Sequence, residues 1–175
     1  AFQRSASWDR RSSRAASWEA CRGGRPALWG RRPRSGTGCH RWRLARRPGR
    51  SSRGVVALID DGHRLVTIVG PGGVGKTRLA IAAGHHLVRR FDGAVLFVPV
   101  EFATDADSAV AAIAAQAGWE VAEDSDVGAV VRRGLNAQPA VVILDNCEQI
   151  PDLGEAVHEL LDACPDLTVL ATSRH

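Results

Sequence analysis

The sequence predicts an α/β fold in which a parallel sheet of four strands carries helices on both of its faces. Short apolar runs alternate with longer amphipathic runs from residue 64 to residue 171, which is the element order of a parallel sheet. The run AVVIL at 140–144 is apolar at every position. A strand without polar alternation is typical of a sheet that helices cover on both faces.

The predicted elements have recognisable ends. Thr104 or Asp105 can accept hydrogen bonds as the N-cap of the second helix, and Gly118 can end it. Pro99 stands near the end of the second strand, where a missing N–H is tolerated, and Pro165 stops the last helix. The predicted strands cover 64–69, 94–100, 140–144 and 167–171. The predicted helices cover 76–90, 105–117, 126–135 and 153–164.

The charge of the chain is divided unevenly between two segments. Residues 1–53 hold 15 arginines and two acidic residues, a net charge of +13, whereas residues 54–175 hold 8 basic and 17 acidic residues, a net charge of −9. The first segment has no apolar periodicity, so we predict that it is disordered. The second segment is long enough for one domain.

The composition of residues 1–53, rich in Arg, Ser and Trp, is also typical of a GC-rich gene read in a wrong frame. An unbroken reading frame with uniform codon usage at the source locus would exclude this hypothesis.

A glycine-rich loop separates the first predicted strand from the first predicted helix, and it fits the pattern G-x-x-x-x-G-K-[ST]. Its residues are Gly70, Pro71, Gly72, Gly73, Val74, Gly75, Lys76 and Thr77, and Arg78 follows them. Lys76 is the only lysine of the chain. A slim ammonium can reach the β- and γ-phosphates of a nucleotide, whereas a guanidinium is planar and bulky. Strand, loop and helix together predict a nucleotide-phosphate site.

Asp145 ends the third predicted strand. Because the carboxyl ends of parallel strands share one edge of a sheet, its carboxylate can face the glycine loop. We predict that Asp145 and the Thr77 hydroxyl hold Mg²⁺, the alternative being a solvated strand end. Asn146 stands where many such hydrolases have a glutamate, and an amide cannot accept a proton from water. Glu148 is either the base or a surface acid, so we expect slow hydrolysis.

The fourth predicted strand ends in Ala171-Thr172-Ser173-Arg174. The Thr172 hydroxyl and the Arg174 guanidinium can contact a γ-phosphate there, and a diphosphate would offer Arg174 no such partner. The alternative is a polar strand end with a solvated arginine.

Three stretches, RLVTIVGPGGVGKTRLAIAAG, VVILDNCEQI and LTVLATSRH, are similar to the nucleotide-binding domain of the signal-transduction ATPases with numerous domains (STAND). The closest likeness is to actinobacterial LuxR-type large ATP-binding regulators and SARP-type antibiotic regulators. The resemblance covers about residues 54–175. It implies a P-loop NTPase domain of the NB-ARC or AAA kind, truncated before its C-terminal strand.

The resemblance also implies a switch in which ADP holds a closed form and ATP holds an open form that exposes or assembles an effector domain. The matching positions imply phosphate and Mg²⁺ contacts from Gly70, Gly75, Lys76 and Thr77, an Mg²⁺ ligand in Asp145, and a γ-phosphate sensor in Arg174. Sensor and effector domains would then belong to a longer parent protein, since the chain stops at His175.

The leading functional prediction is an ATP-binding switch domain from a transcriptional regulator, with ATP or ADP and Mg²⁺ as cofactors and slow ATPase activity. A guanine-reading Asn-Lys-x-Asp string is absent, which favours ATP over GTP. Two alternatives stay open: the arginine-rich segment, with Trp8, Trp18, Trp29 and Trp42, could bind nucleic acid, or the chain is a non-functional gene fragment. A small-molecule kinase is disfavoured because 148–167 has no lid arginine.

The sequence shows no apolar window of about 18 residues for a membrane span and no secretory signal. The four cysteines form no CxxC pair. We therefore predict a cytoplasmic protein with free thiols.

The likeness to related folds also makes a prediction about the sheet edge. Those folds place the strand before the phosphate loop between the fourth strand and a fifth one, and the fifth is absent here. Strand 65–69 should then be an exposed apolar edge prone to pair with another chain, unless residues 54–59 cover it. Deleting residues 1–53 should change neither nucleotide affinity nor thermal stability.

Overall fold

The structure, a computed structural model, describes residues 39–43 and 48–174 and confirms the α/β class with a wholly parallel sheet. The strands are β1 (Cys39–Arg43), β2 (Leu65–Val69), β3 (Val95–Pro99), β4 (Ala140–Asp145) and β5 (Leu167–Ser173). The helices are α1 (Pro48–Asp60), α2 (Lys76–Leu87), α3 (Ala106–Ala117), α4 (Val127–Leu135) and α5 (Leu153–Ala163), and a short 3₁₀ turn spans Cys147–Gln149. All four predicted strands and all four predicted helices are present, with bounds that shift by three residues or fewer.

The strand order β1-β2-β5-β4-β3 explains where a site can form. After β2 the chain crosses to the far edge of the sheet at β3 and then returns through β4 to β5, which pairs with β2. Crossover connections between parallel strands are right-handed. Because the chain adds β4 and β5 in the opposite direction across the sheet, the helices after β3 lie on the opposite face from α1 and α2. The carboxyl ends of β2 and β5 therefore flank a crevice, the usual ligand position in such sheets.

Two apolar clusters cover the two faces of the sheet. The first joins α1 and α2 to the sheet, with Val55, Ile59, Leu79 and Leu87 among its buried side chains. The second lies under α3, α4 and α5 on the other face. The first five residues of β4 contribute alternately to both clusters, which explains why the strand is apolar at every position before Asp145.

The predicted ends of α3 are confirmed. The Asp105 carboxylate accepts a hydrogen bond from the Ser108 backbone N–H at 2.8 Å, and the Ser108 hydroxyl accepts one from the Asp105 N–H at 3.2 Å. This reciprocal pair is a capping box. Gly118 ends the helix with φ 70°, a left-handed conformation that favours glycine.

The prediction that strand 65–69 is an exposed edge is wrong. β1 pairs with β2 along its whole length, from Cys39 opposite Leu65 to Arg43 opposite Val69. The sequence CHRWR shows no apolar alternation. It can still pair as a strand, because pairing uses the backbone N–H and C=O groups that every residue other than proline has. Residues 54–59 do not cover the edge, since they lie in α1 on one face of the sheet.

The predicted boundary at residue 54 also needs correction, because α1 begins at Pro48 and runs through it. The buried apolar side chains described for this helix, Val55 and Ile59, lie in its second half. Its first half is rich in arginine, as is the preceding segment. The prediction of disorder is therefore wrong for 39–43 and 48–53. Residues 1–38 and 44–47 lie outside the described residues.

Arg64 should be a strong determinant of stability. Its guanidinium donates to the carbonyl oxygens of Leu167 at 3.1 Å and Cys164 at 2.7 Å, and also to that of Leu161. A cation at the end of α5 satisfies carbonyls that have no helical partner. Arg64→Ala should lower the free energy of unfolding by about 2 kcal/mol in urea denaturation. Arg133→Ala, at an exposed position of α4, is the control; equal losses in both would contradict this role.

No helix in the described part of the chain has the length and apolar character that a membrane crossing requires.

Candidate functional site

The glycine loop connects β2 to α2 at the crevice between β2 and β5. Its first residue is tied to the neighbouring strand, since the Gly70 N–H donates to the Ser173 carbonyl at 3.2 Å. Gly73 and Gly75 have φ values of 73° and 97°. Both values are in the left-handed region, where a side chain would be strained, so the two glycines allow the turn into the helix.

The Lys76 side chain folds back over the loop. Its ammonium donates to the Gly70 carbonyl at 2.8 Å and lies 3.3 Å from the Pro71 carbonyl. The positive charge is thus held at the mouth of the loop. Both of these acceptors are neutral carbonyls, and an anion placed there would be a stronger acceptor.

The N-terminus of α2 adds further donors. Its first backbone-paired N–H is that of Leu79, which donates to the Gly75 carbonyl at 2.9 Å. The N–H groups of the preceding helical residues 76–78 therefore have no acceptor within the helix. Gly75, the N-cap, has no side chain to cap them. This helix end favours an anion through both its N–H groups and its dipole.

Asp145 lies across from the loop and connects three elements. Its carboxylate accepts hydrogen bonds from the Thr77 hydroxyl of α2 at 2.9 and 3.0 Å. The buried Thr172 hydroxyl of β5 donates to it at 2.6 Å. Thr172 in turn accepts a hydrogen bond from the Asn146 backbone N–H at 2.9 Å. The carboxylate is thereby fixed at the sheet edge and turned toward the start of α2.

The Thr77 hydroxyl and the Asp145 carboxylate could hold a magnesium ion, because both are oxygen donors of the kind that Mg²⁺ prefers. In this structure they are joined directly by hydrogen bonds of 2.9 and 3.0 Å. Among the described residues no group of three or more His, Cys, Asp or Glu could hold a metal. Mg²⁺ at this place would therefore rely on phosphate oxygens and water for its other ligands, as it does in nucleotide sites.

Glu148 and Arg174 are paired with each other. Arg174 Nε lies 2.7 Å from Glu148 Oε1, and the carboxyl side chain is 5% exposed whereas the arginine side chain is 58% exposed. The contact is an ion pair and not an aligned hydrogen bond, since neither Glu148 oxygen accepts a hydrogen bond of ordinary geometry from the described residues. Glu148 therefore points inward, unlike a surface acid.

The structure thus brings together most of the side chains that the sequence singled out. Lys76, Thr77 and Asp145 meet at the loop, and Arg174 follows the strand residue that touches Gly70. Thr172 was assigned to the nucleotide, but its hydroxyl is bonded to Asp145 and Asn146, so it positions the carboxylate. Pro71, Gly72, Gly73 and Arg78 are exposed at the loop surface, and Val74 is half-buried.

Asn146 and Cys147, the two residues after Asp145, differ from their surroundings in backbone conformation and in thiol pKa, respectively. Asn146 has φ 75°, a left-handed conformation that asparagine tolerates better than most residues. Burial raises the pKa of the Cys147 thiol to about 12, so the thiol stays protonated near neutral pH. Cys147 and Cys164 are both free thiols, as predicted.

A cavity of about 370 Å³ lies elsewhere, among α3, α4 and α5. Asp107, Asp126, Arg132 and Glu159 line it together with apolar side chains, and none of its lining residues belongs to the glycine loop. An acceptor pocket for a kinase would have to adjoin the transferred phosphate, so this cavity gives the kinase alternative no support.

Comparison with curated proteins relates the chain to mycobacterial regulators. Over 113 residues it is 42% identical to a Mycobacterium tuberculosis protein named "Putative HTH-type transcriptional regulator Rv0890c", covering 64% of this chain and 13% of that protein. A Mycobacterium bovis protein with a name of the same form matches equally. An uncharacterized M. tuberculosis protein is 34% identical over 122 residues, which cover 66% of this chain and 30% of that protein.

The chain therefore spans less than a third of the length of these relatives. No family model matches the sequence. The names of the two relatives that are 42% identical support a link to transcriptional regulation.

Proposed function

We propose that the chain is an ATP-binding switch domain of a regulatory STAND-type ATPase, with ADP as its second nucleotide and Mg²⁺ as its metal. One observation carries the proposal. The Lys76 ammonium lies over the glycine loop at the start of α2, where the first N–H groups have no acceptor within the helix. Thr77, in the same first turn, pairs with Asp145. The ammonium and the helix N-terminus can bind the phosphates of a nucleotide, and the hydroxyl and carboxylate oxygens can bind the Mg²⁺ that accompanies them.

The regulatory part of the proposal comes from the relatives. Proteins named as HTH-type transcriptional regulators contain a segment 42% identical to this chain, and that segment is a small share of each. Because this chain folds as a parallel sheet with helices, we place the helix-turn-helix effector of such a protein outside the matched segment. We propose that the nucleotide state of this domain governs an effector of that kind.

The metal assignment can be tested with Asp145→Asn. Asparagine keeps the size of the side chain but removes the charge that would face Mg²⁺. Changes around a metal site typically cost 10–100-fold in affinity, so the gain in ATP affinity that Mg²⁺ provides should fall at least about tenfold in calorimetry. Asp162→Asn, at an exposed position of α5, is the matched control. An unaltered Mg²⁺ dependence in Asp145→Asn would rule out the ligand role.

Hydrolysis by the isolated chain should be slow. Asn146 cannot take a proton from water, and Glu148 is held beside Arg174 in place of being free to act as a base. Unassisted switch NTPases turn over at about 10⁻⁴–10⁻² per second, and we expect phosphate release in this range. Steady turnover well above about one per second, lost in Asp145→Ala, would show that an efficient base is present.

A further inference from the structure

The ion pair between Glu148 and Arg174 joins the segment after β4 to the end of β5. Glu148 is held by the 3₁₀ turn Cys147–Gln149, and its side chain is almost wholly buried at 5% exposure. A buried carboxylate is costly unless a cation or donors compensate it. Arg174 Nε, at 2.7 Å, is the cation that lies against it in the described structure.

The ion pair with Glu148 involves one nitrogen of the Arg174 guanidinium, Nε. The arginine side chain is 58% exposed. A guanidinium has two further nitrogens that can donate to a second anion. The side chain can therefore move away from Glu148 at little steric cost, because its surroundings are largely solvent.

The position of Arg174 places it at the mouth of the glycine loop. The preceding residue, Ser173, accepts the hydrogen bond from the Gly70 N–H at 3.2 Å, so the backbone at residue 174 adjoins the start of the loop. An arginine side chain that begins there can reach either Glu148 or an anion beyond the Lys76 ammonium.

We propose that Glu148 and the γ-phosphate of ATP compete for Arg174, so that Glu148 sets the preference of the site between ATP and ADP. This inference rests on the proposed nucleotide function. In the form without a γ-phosphate, Arg174 stays on Glu148. ATP binding draws Arg174 away and leaves the Glu148 carboxylate without its cation, which lowers the affinity for ATP. ADP offers Arg174 no rival partner and leaves the ion pair intact.

Glu148→Gln tests the competition, because glutamine keeps the shape of the side chain but holds Arg174 less strongly. The intact 175-residue chain is titrated with ATP and with ADP in Mg²⁺ buffer. The ion pair is partly solvent-exposed and worth correspondingly little, so ATP affinity should rise about three- to fivefold while ADP affinity stays constant. Glu155→Gln, an exposed carboxylate in the first turn of α5, is the control and should change neither affinity.

Arg174→Gln supplies the second arm. It should weaken ATP binding and spare ADP, and adding Glu148→Gln to it should give no further change for ATP. A gain that persists in the double variant would show that Glu148 acts without Arg174. Glu148→Asp, which keeps the charge but shortens the side chain, should shift the ATP preference in the same direction. Glu148→Asp is the variant to titrate if Glu148→Gln does not fold.

The outcomes separate this inference from the function on which it rests. If the unsubstituted chain binds ATP and ADP but Glu148→Gln leaves their affinity ratio unchanged, or raises both affinities equally, the competition is wrong and the nucleotide site stands. If the unsubstituted chain binds neither nucleotide, the proposed function is wrong and the competition falls with it.

Discussion

Lys76→Ala should weaken ATP binding at least about tenfold. The substitution removes the only ammonium side chain of the protein and leaves the loop N–H groups and the Asp145–Thr77 pair in place. A hydrogen bond to a charged group contributes about 1.5–3 kcal/mol, and 1.4 kcal/mol corresponds to a tenfold change in affinity. Calorimetric titration of both proteins with ATP measures the loss.

The control for this prediction is Arg133→Ala, which removes one positive charge from an exposed position of α4. It should leave the affinity for ATP within about twofold, since exposed charges farther apart than about 10 Å are largely screened at ordinary salt. An unchanged affinity in Lys76→Ala, with the control also unchanged, would show that the loop does not hold the phosphates.

Deleting residues 1–53 should destabilise the domain by about 3 kcal/mol, which replaces the expectation from the sequence that this deletion leaves thermal stability unchanged. The deletion removes β1 and the first six residues of α1, so β2 loses its neighbour and the remaining seven residues are too few for a stable helix. Val55 and Ile59 are then no longer held on the sheet, and burying each such side chain contributes about 1.5–3 kcal/mol. The midpoint and slope of urea denaturation give the free energy of unfolding.

Deletion of residues 1–38 is the matched control for this prediction, since it leaves every described element in the chain. Its free energy of unfolding should equal that of the full chain. If the deletions to 38 and to 53 are equally harmless, the pairing of β1 with β2 does not contribute to stability, and the domain boundary predicted from sequence at residue 54 is the correct one.

The part of the fold that sequence reasoning predicted depends on strong local signals. β4 is apolar at its first five positions and ends in Asp145, and the Asp105 and Gly118 signals mark both ends of α3. Buried strands and capped helices can be recognised in a sequence, because burial and capping each require particular side chains. The place of Asp145 at the loop followed from one further rule, the shared edge of parallel carboxyl ends.

The features that sequence reasoning missed lack such signals. β1 is held by backbone pairing, and its residues Cys39–Arg43 carry no apolar pattern. The Glu148–Arg174 pair joins residues of two different segments, and only the packing of the 3₁₀ turn beside β5 brings them within 2.7 Å. The sequence marks Thr172 as a polar residue at a strand end. Its hydrogen bond to Asp145 could not be predicted, because it depends on β4 and β5 being neighbours in the sheet.

The nucleotide site is tested most directly by calorimetric titration of the intact chain with ATP, ADP and GTP, each with and without Mg²⁺. We predict saturable binding of one ATP or one ADP per chain, tighter ATP binding when Mg²⁺ is present, and weaker binding of GTP. No saturable binding of any nucleotide at millimolar concentration would contradict the central claim that this glycine loop is a nucleotide site.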